Sequence, residues 1–194
     1  MAISTISQAG LNAPLTLTSP TLTTPTISGT VTGLTSASMP TGSVLQVLQA
    51  TKTDTFSTTS TSDVDITGLS VTITPSSTSN KILVSFSTVG SINGDIAHGY
   101  FNIVRGSTLI FKGDSAGSRT GATAVINEPT PGQMLCYSQT YLDSPATTSA
   151  TTYKLQLHSS NGNAIYVNRS ARDNDAAAYD GRAVSSFTVM EIKA

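Results

Sequence analysis

Lys81–Val89 reads KILVSFSTV, with Ile82, Val84 and Phe86 on one face and Ser85 and Ser87 on the other. That period of two, carried by β-branched and aromatic residues, specifies a half-buried strand. The loop Pro75-Ser76-Ser77-Thr78-Ser79-Asn80 precedes it, and an Asn93-Gly94 turn follows it. The same grammar extends in both directions. Upstream, Ser43–Ala50 offers Val44, Leu45, Val47 and Leu48, and Val64–Ile66 and Val71–Ile73 flank an expected turn at Gly68. Downstream, Ala97–Val104 and Thr108–Lys112 read as a hairpin about Arg105-Gly106-Ser107. Met134–Leu142, Thr151–His158 and Ala164–Asn168 give three more strands, with a hairpin turn at Ser159-Ser160-Asn161-Gly162. Only Gly121–Ile126 suggests a short turn of helix. Many short strands between turn signals predict an all-β, antiparallel jelly-roll sandwich.

The closing strand, Val184–Ile192, is apolar on both faces: Phe187 and Val189 on one, Met190 and Ile192 on the other. Such a strand belongs inside a sheet or at a subunit interface. These four residues are therefore the expected oligomer contacts.

Before Pro40-Thr41-Gly42 the composition changes. Pro14–Thr18 (PLTLT), Ser19–Thr23 (SPTLT) and Thr24–Ser28 (TPTIS) form a stack of Thr/Pro pieces. Each offers one or two apolar side chains, and the prolines bar a helix and withhold ladder donors. This segment is too polar to build a core and needs a surface to lie against. Residues 1–40 are read as an extended attachment arm or short shaft, with Leu15, Leu17, Leu22, Ile27 and Val31 as its contacts. Residues 41–194 are read as the head domain.

Charged residues make up 11% of the 194, against about 25% in an average domain. Ser and Thr reach roughly 30%, which favours strands and turns. A net charge of −1 gives no basic excess for neutralising phosphates, so no nucleic-acid partner is expected. No run of about 20 apolar residues predicts membrane insertion, and no secretory leader is visible. The single cysteine, Cys136, rules out an intrachain disulfide; set in Met134-Leu135-Cys136-Tyr137, it is expected to be buried and inert.

Chemistry is sparse. His98 and His158 lie in predicted strands without the neighbours of a triad. The densest charge runs from Arg169 through Arg172, Asp173 and Asp175 to Tyr179, Asp180 and Arg182. Two readings stand for it. Asp173 and Asp175 are weak candidates for a calcium site, since that cation wants several oxygen ligands. The alternative is a solvated loop whose charges pair locally or between subunits. Arg169, Arg172, Asp173, Asp175 and Tyr179 also form a possible recognition loop, Tyr179 by stacking on a sugar face. Asn168-Arg169-Ser170 matches the glycosylation acceptor pattern, which also occurs by chance. Asp173 and Asp175 are the one close carboxylate pair, too little for a glycan-cleaving groove, so the chain is read as non-enzymatic and without a cofactor.

The repeat SPTLTTPTISG (Ser19–Gly29) resembles the N-terminal arms and short shafts of tailed-bacteriophage virion proteins. YFNIVRGSTLIFKGD (Tyr100–Asp114), YLDSPATTSATTYKLQL (Tyr141–Leu157), YVNRSARDND (Tyr166–Asp175) and SSFTVMEIKA (Ser185–Ala194) resemble small phage structural proteins, particularly of marine and freshwater phages. The resemblance implies a homotrimeric jelly-roll head, similar to C1q/TNF-like trimers, exposed on the virion surface. It implies phage capsid or tail proteins as partners, and a host surface glycan or protein as a possible target. Two roles follow: a short fibre with an outward head, or a cement protein whose arm clamps capsid subunits.

Overall fold

The computed structural model describes residues 35–94, 97–127, 133–175 and 180–194. Leu15, Leu17, Leu22, Ile27, Val31 and Tyr179 lie outside the described residues. Thr35–Ala194 is one compact unit. A short 3-10 turn at Ser36–Ser38 leads into eleven strands. They are β1 (Val44–Lys52), β2 (Phe56–Thr58), β3 (Val64–Ile73), β4 (Lys81–Ile92), β5 (His98–Arg105) and β6 (Thr108–Phe111). After them come β7 (Ala124–Asn127), β8 (Leu135–Asp143), β9 (Thr151–Ser159), β10 (Ile165–Val167) and β11 (Ser185–Ile192).

KILVSFSTV opens β4, the organising strand. β8 runs along one edge of β4 from Ile82 to Gly90. The other edge takes β11 over Lys81–Ser87 and then β10 over Gly90–Ile92. With β1 beside β11 and β2 beside β10, this sheet has six strands. The facing sheet has five, ordered β3-β9-β5-β6, with β7 also on β5. The chain crosses from sheet to sheet and brings its first strand beside its last, all pairs antiparallel. That is a jelly-roll sandwich.

Alternation builds the core. Val84, Phe86, Phe187 and Val189 face Phe101, Ile103, Leu155 and Leu157, all within 3% of full burial. Each such side chain contributes about 1.5–3 kcal/mol relative to exposure. Phe86 and Phe101 meet at 5.8 Å between ring centroids. Phe187 and Val189 are thus spent inside the chain's own core, because β11 lies between β1 and β4. The interface expectation narrows to Met190 and Ile192, which point outward by strand alternation.

Two local expectations are corrected. Gly68 is no turn between strands: β3 continues through it, with a register break between Asp65 and Ser70 and a φ of 88° that suits glycine. Gly121–Ile126 holds no helix; Ala124–Asn127 is β7, drawn into extended form by pairing with β5.

The strands give the sandwich two ends. At one, Gly42 N donates to Lys193 O at 2.8 Å and Lys193 N to Ser43 O at 2.9 Å. At the other, β10 passes into the loop 168–184 that leads to β11. We call these the proximal and distal ends. The eight residues of β11 between them span about 26 Å.

Candidate functional site

The distal loop gathers the charges singled out above. It starts at Asn168, fully buried with a φ of 63°, a left-handed conformation that asparagine tolerates better than most residues. Asn168 Nδ2 donates to Lys52 O at 2.9 Å and Asp54 O at 3.0 Å, and Ser185 Oγ donates to Asn168 Oδ1 at 2.6 Å. One amide therefore ties together β1, the loop after it and the start of β11. It also removes Asn168 as a glycan acceptor: the nitrogen that would be modified is buried and both its hydrogens are engaged.

Beyond it the loop neutralises itself. Asp173 accepts from both Arg169 and Arg182. Asp180 accepts from Arg172 Nε at 2.9 Å and Nη2 at 2.8 Å, from Ser170 Oγ at 2.9 Å and from Asn174 N at 2.9 Å. The Arg172 fork, helped by the Asn174 and Ser170 bonds, holds the Asp180 carboxyl well below the usual range against its desolvation. Arg169 also lies over the Tyr166 ring, 4.1 Å from its centroid. Asp175 is exposed and lines a depression of about 190 Å³ with Asp173, Asn174, Asp180 and Arg182.

Three arginines against three aspartates leave no surplus negative charge for a divalent cation. The carboxylate oxygens of Asp173 and Asp180 are already taken by guanidiniums, so Asp175 would have to supply such a site. The geometry thus favours the locally paired loop over the calcium reading. Among the described residues, no three His, Cys, Asp or Glu side chains converge as metal ligands.

The outer face of the five-stranded sheet is also polar. Asp63 Oδ1 accepts from Asn102 Nδ2 at 2.9 Å and pairs with His158 Nδ1 at 2.7 Å, and His158 stacks on Tyr100 at 4.8 Å. Asp65 accepts from Lys154 at 2.8 Å and Gln156 at 2.6 Å; its desolvation is outweighed, and its carboxyl sits below the usual value. The hydrogen bonds described bring no hydroxyl or thiol to the His158 imidazole. His98, half-buried at the start of β5, lies beyond Tyr100 on the same face.

Three buried clusters were not legible as sites. Arg105 donates to both Asp143 oxygens at 2.8–2.9 Å, and Tyr153 Oη donates to Asp143 Oδ2 at 2.7 Å. This cluster joins β8 of one sheet to β5 and β9 of the other. Desolvation, then Asp143, pushes the Tyr153 phenol far above its usual range. Glu191, 1% exposed, is caged by neutral donors: Asn80 Nδ2 and Gln46 Nε2 at 2.6 Å, and Ser76 N and Oγ at 2.7 and 2.8 Å. Burial opposes its charge, but the cage wins and its carboxyl lies below the usual value. Lys52, 2% exposed, reaches Asp54 at 2.9 Å. The partners in these clusters mostly lie far apart in sequence, so no local motif marks them.

Cys136 is exposed, not buried. Among the described strands β8 is paired with β4 alone, and Cys136 sits opposite Val89 on its outward face. The apolar run around it is a strand seen from both sides, with Tyr137 packed against the core.

No family model matches the chain, and no curated protein matches it.

Proposed function

We propose that this chain is a non-enzymatic virion structural protein of a tailed phage. In this reading it is a homotrimeric surface appendage, anchored by its N-terminal arm, whose head recognises the host surface. The observation that carries the reading is the placement of the two ends. Residues 35–43 come in at the proximal end, beside Lys193, while the Arg/Asp loop stands at the distal end, about 26 Å away along β11. Anchored from its N-terminal side, the head presents the internally paired charges of Arg169, Arg172, Asp173, Asp180 and Arg182 outward. Side chains already held by their own ion pairs lose little entropy when they meet a partner. The engagement of Asp173 and Asp180 by arginines also supports a binding role over hydrolysis, since neither carboxylate is free to act as nucleophile or acid.

The capsid-cement reading keeps one supporting feature, the apolar side chains at Leu15, Leu17, Leu22, Ile27 and Val31 in the sequence of the arm. Binding separates the two. The full-length protein and a truncated chain starting at Thr35 are titrated against expanded capsids lacking the protein and against intact host cells. Saturable cell binding that survives truncation is expected. Stoichiometric, arm-dependent capsid binding that raises shell stability, with no cell binding, would establish cement instead. Binding to neither would end the virion reading.

A further inference from the structure

The outer face of the six-stranded sheet is unlike the rest of the surface. Register places Val47 opposite Met190, Met190 opposite Leu83, and Leu83 opposite Leu142. The strand neighbours Val189 and Val84 are fully buried and Tyr141 stacks on Phe111 of the facing sheet, so Met190, Leu83 and Leu142 point outward by alternation, and Val47 joins them on the exposed edge strand β1. They form one apolar row across β1, β11, β4 and β8, with Val47 54% and Leu142 50% exposed. Val44 and Ile192 add a second apolar pair toward the proximal end. Toward the distal end the rows are Gln49-Thr188-Ser85-Thr140 and Thr51-Ser186-Ser87-Ser138. Across these strands the one charged side chain on the face is Lys81, at its proximal margin, whose Nζ turns to Ser144 Oγ at 2.9 Å. The opposite face of the sandwich, by contrast, carries Asp63, Asp65, Lys154 and His158.

We infer that this face is the contact between copies of the chain, with the Val47-Met190-Leu83-Leu142 row at its centre. The inference rests on the homotrimer in the reading above and says which surface builds it. Interface centres are depleted of charge and enriched in methionine and apolar groups, as this face is. Four strands about 4.8 Å apart, over seven residue steps of about 3.4 Å, give roughly 450 Å² before pleating is counted. Two such faces give about 900 Å² in projection, near the ~1,000 Å² that a specific contact should clear. The gradient along the strands fixes the symmetry. A two-fold axis lying in the interface, across the strands and through the middle of the face, reverses the gradient and sets the apolar row against hydroxyls. An axis parallel to the strands keeps the row at one level in every copy, so apolar meets apolar. A three-fold of that kind also places all proximal ends together and all distal loops together, as an appendage requires.

Cys136 lies on this face, exposed in the single chain, and becomes covered in the assembly. It therefore serves as a reporter. The test uses the full-length protein, with mass measured by light scattering and thiol reactivity by a disulfide-exchange reagent. The natural sequence is expected to run as three chains of 20.0 kDa with a protected thiol. Val47→Asp, a change at a half-exposed position that the core does not feel, and Leu83→Asp should give folded single chains by circular dichroism. Thiol reaction should then accelerate by at least about tenfold. Ser70→Asp, on the opposite face, should leave both readings unchanged. If Val47→Asp keeps the three-chain mass and the protected thiol, the face is wrong while the trimer stands. If the natural sequence is a single chain at every concentration reached, both fall.

Discussion

Replacing Asn168 by alanine tests whether one side chain holds the distal loop to the sandwich. The substitution deletes three hydrogen bonds, to Lys52 O, Asp54 O and Ser185 Oγ. At about 1 kcal/mol net each, they account for about 3 kcal/mol. The φ of 63° adds about 1 kcal/mol, since alanine resists the left-handed region that asparagine accepts. The expected loss is therefore about 3–5 kcal/mol, a large share of the 5–15 kcal/mol typical of a domain. Urea titration at fixed protomer concentration should show a lower midpoint with an unchanged slope. Asn168→Gly separates the two contributions. It loses the same hydrogen bonds but not the backbone strain, so it should be less damaged than the alanine variant by roughly 1 kcal/mol. A loss below about 1 kcal/mol in Asn168→Ala would refute the reasoning, because it would mean that the buried carbonyls find other donors at no cost. The functional consequence follows from the connectivity. The backbone of Asn168 receives Ala183 N at 3.1 Å and donates to Val89 O at 2.8 Å, so it closes the loop at both of its ends. Alanine keeps these backbone bonds but loses the side-chain ties that hold the junction to Lys52, Asp54 and Ser185, so it should weaken any binding by Arg172 and Asp175 before the fold itself is lost.

Further expectations follow from the other buried groups. Glu191 has a folded-state pKa below its usual 4.5, so its contribution is fully present above that value and is lost as pH falls through the lower folded value. The stability gap between the natural protein and Glu191→Gln should therefore narrow on acidification, and a gap that widens would overturn the cage argument. Tyr153→Phe removes a donor to the buried Asp143 carboxylate and should cost about 2 kcal/mol in urea midpoint. Arg105→Met should cost more, about 3–5 kcal/mol, because it leaves Asp143 buried with its counter-ion gone. Gly121→Ala drives a new Cβ into the Gly113 carbonyl oxygen, which backbone cannot sidestep cheaply. It should cost about 1–3 kcal/mol, with hydrogen exchange rising first at Gly113 N, which donates to Ala122 O at 3.0 Å.

What the sequence disclosed is set by how local each signal is. Strand existence was legible wherever alternation ran for several residues, as in Lys81–Val89 and Thr151–His158. Phe56–Thr58 was missed because three residues carry no period, and its strand character comes from pairing with β10. Gly68 was read as a turn because a positive-φ glycine looks alike in a bulge and a hairpin. Cys136 was expected inside because an apolar run does not say which of its faces meets the core. The apolar row exists only once four strands are in register, and the Glu191 cage joins residues from β1, the loop before β4 and β11. Charge proximity within 169–182 was legible; which carboxylate meets which arginine was not.

The choice between fibre and cement turns on where ionic groups stand relative to the anchored end. A cement head presses one surface on the capsid, so polar groups it cannot pair there cost desolvation free energy. At the proximal end Glu191 is caged and Arg105 is bound to Asp143, while Lys81 and Lys193 are partly exposed. Lysine stems are long enough to keep both ammonium groups in water as another protein approaches. The distal end keeps Asp175 and half of Arg182 in water, charge that costs nothing while solvated and gives specificity when a partner with matching charge arrives. In the proposed appendage, the proximal end would anchor and the Arg/Asp loop at the distal end would meet the partner. Charge reversal at Arg182 should therefore change cell binding and its salt dependence while leaving assembly on the particle intact. If Arg182→Glu instead impairs incorporation into particles and spares cell binding, the head sits the other way up and the cement reading takes precedence.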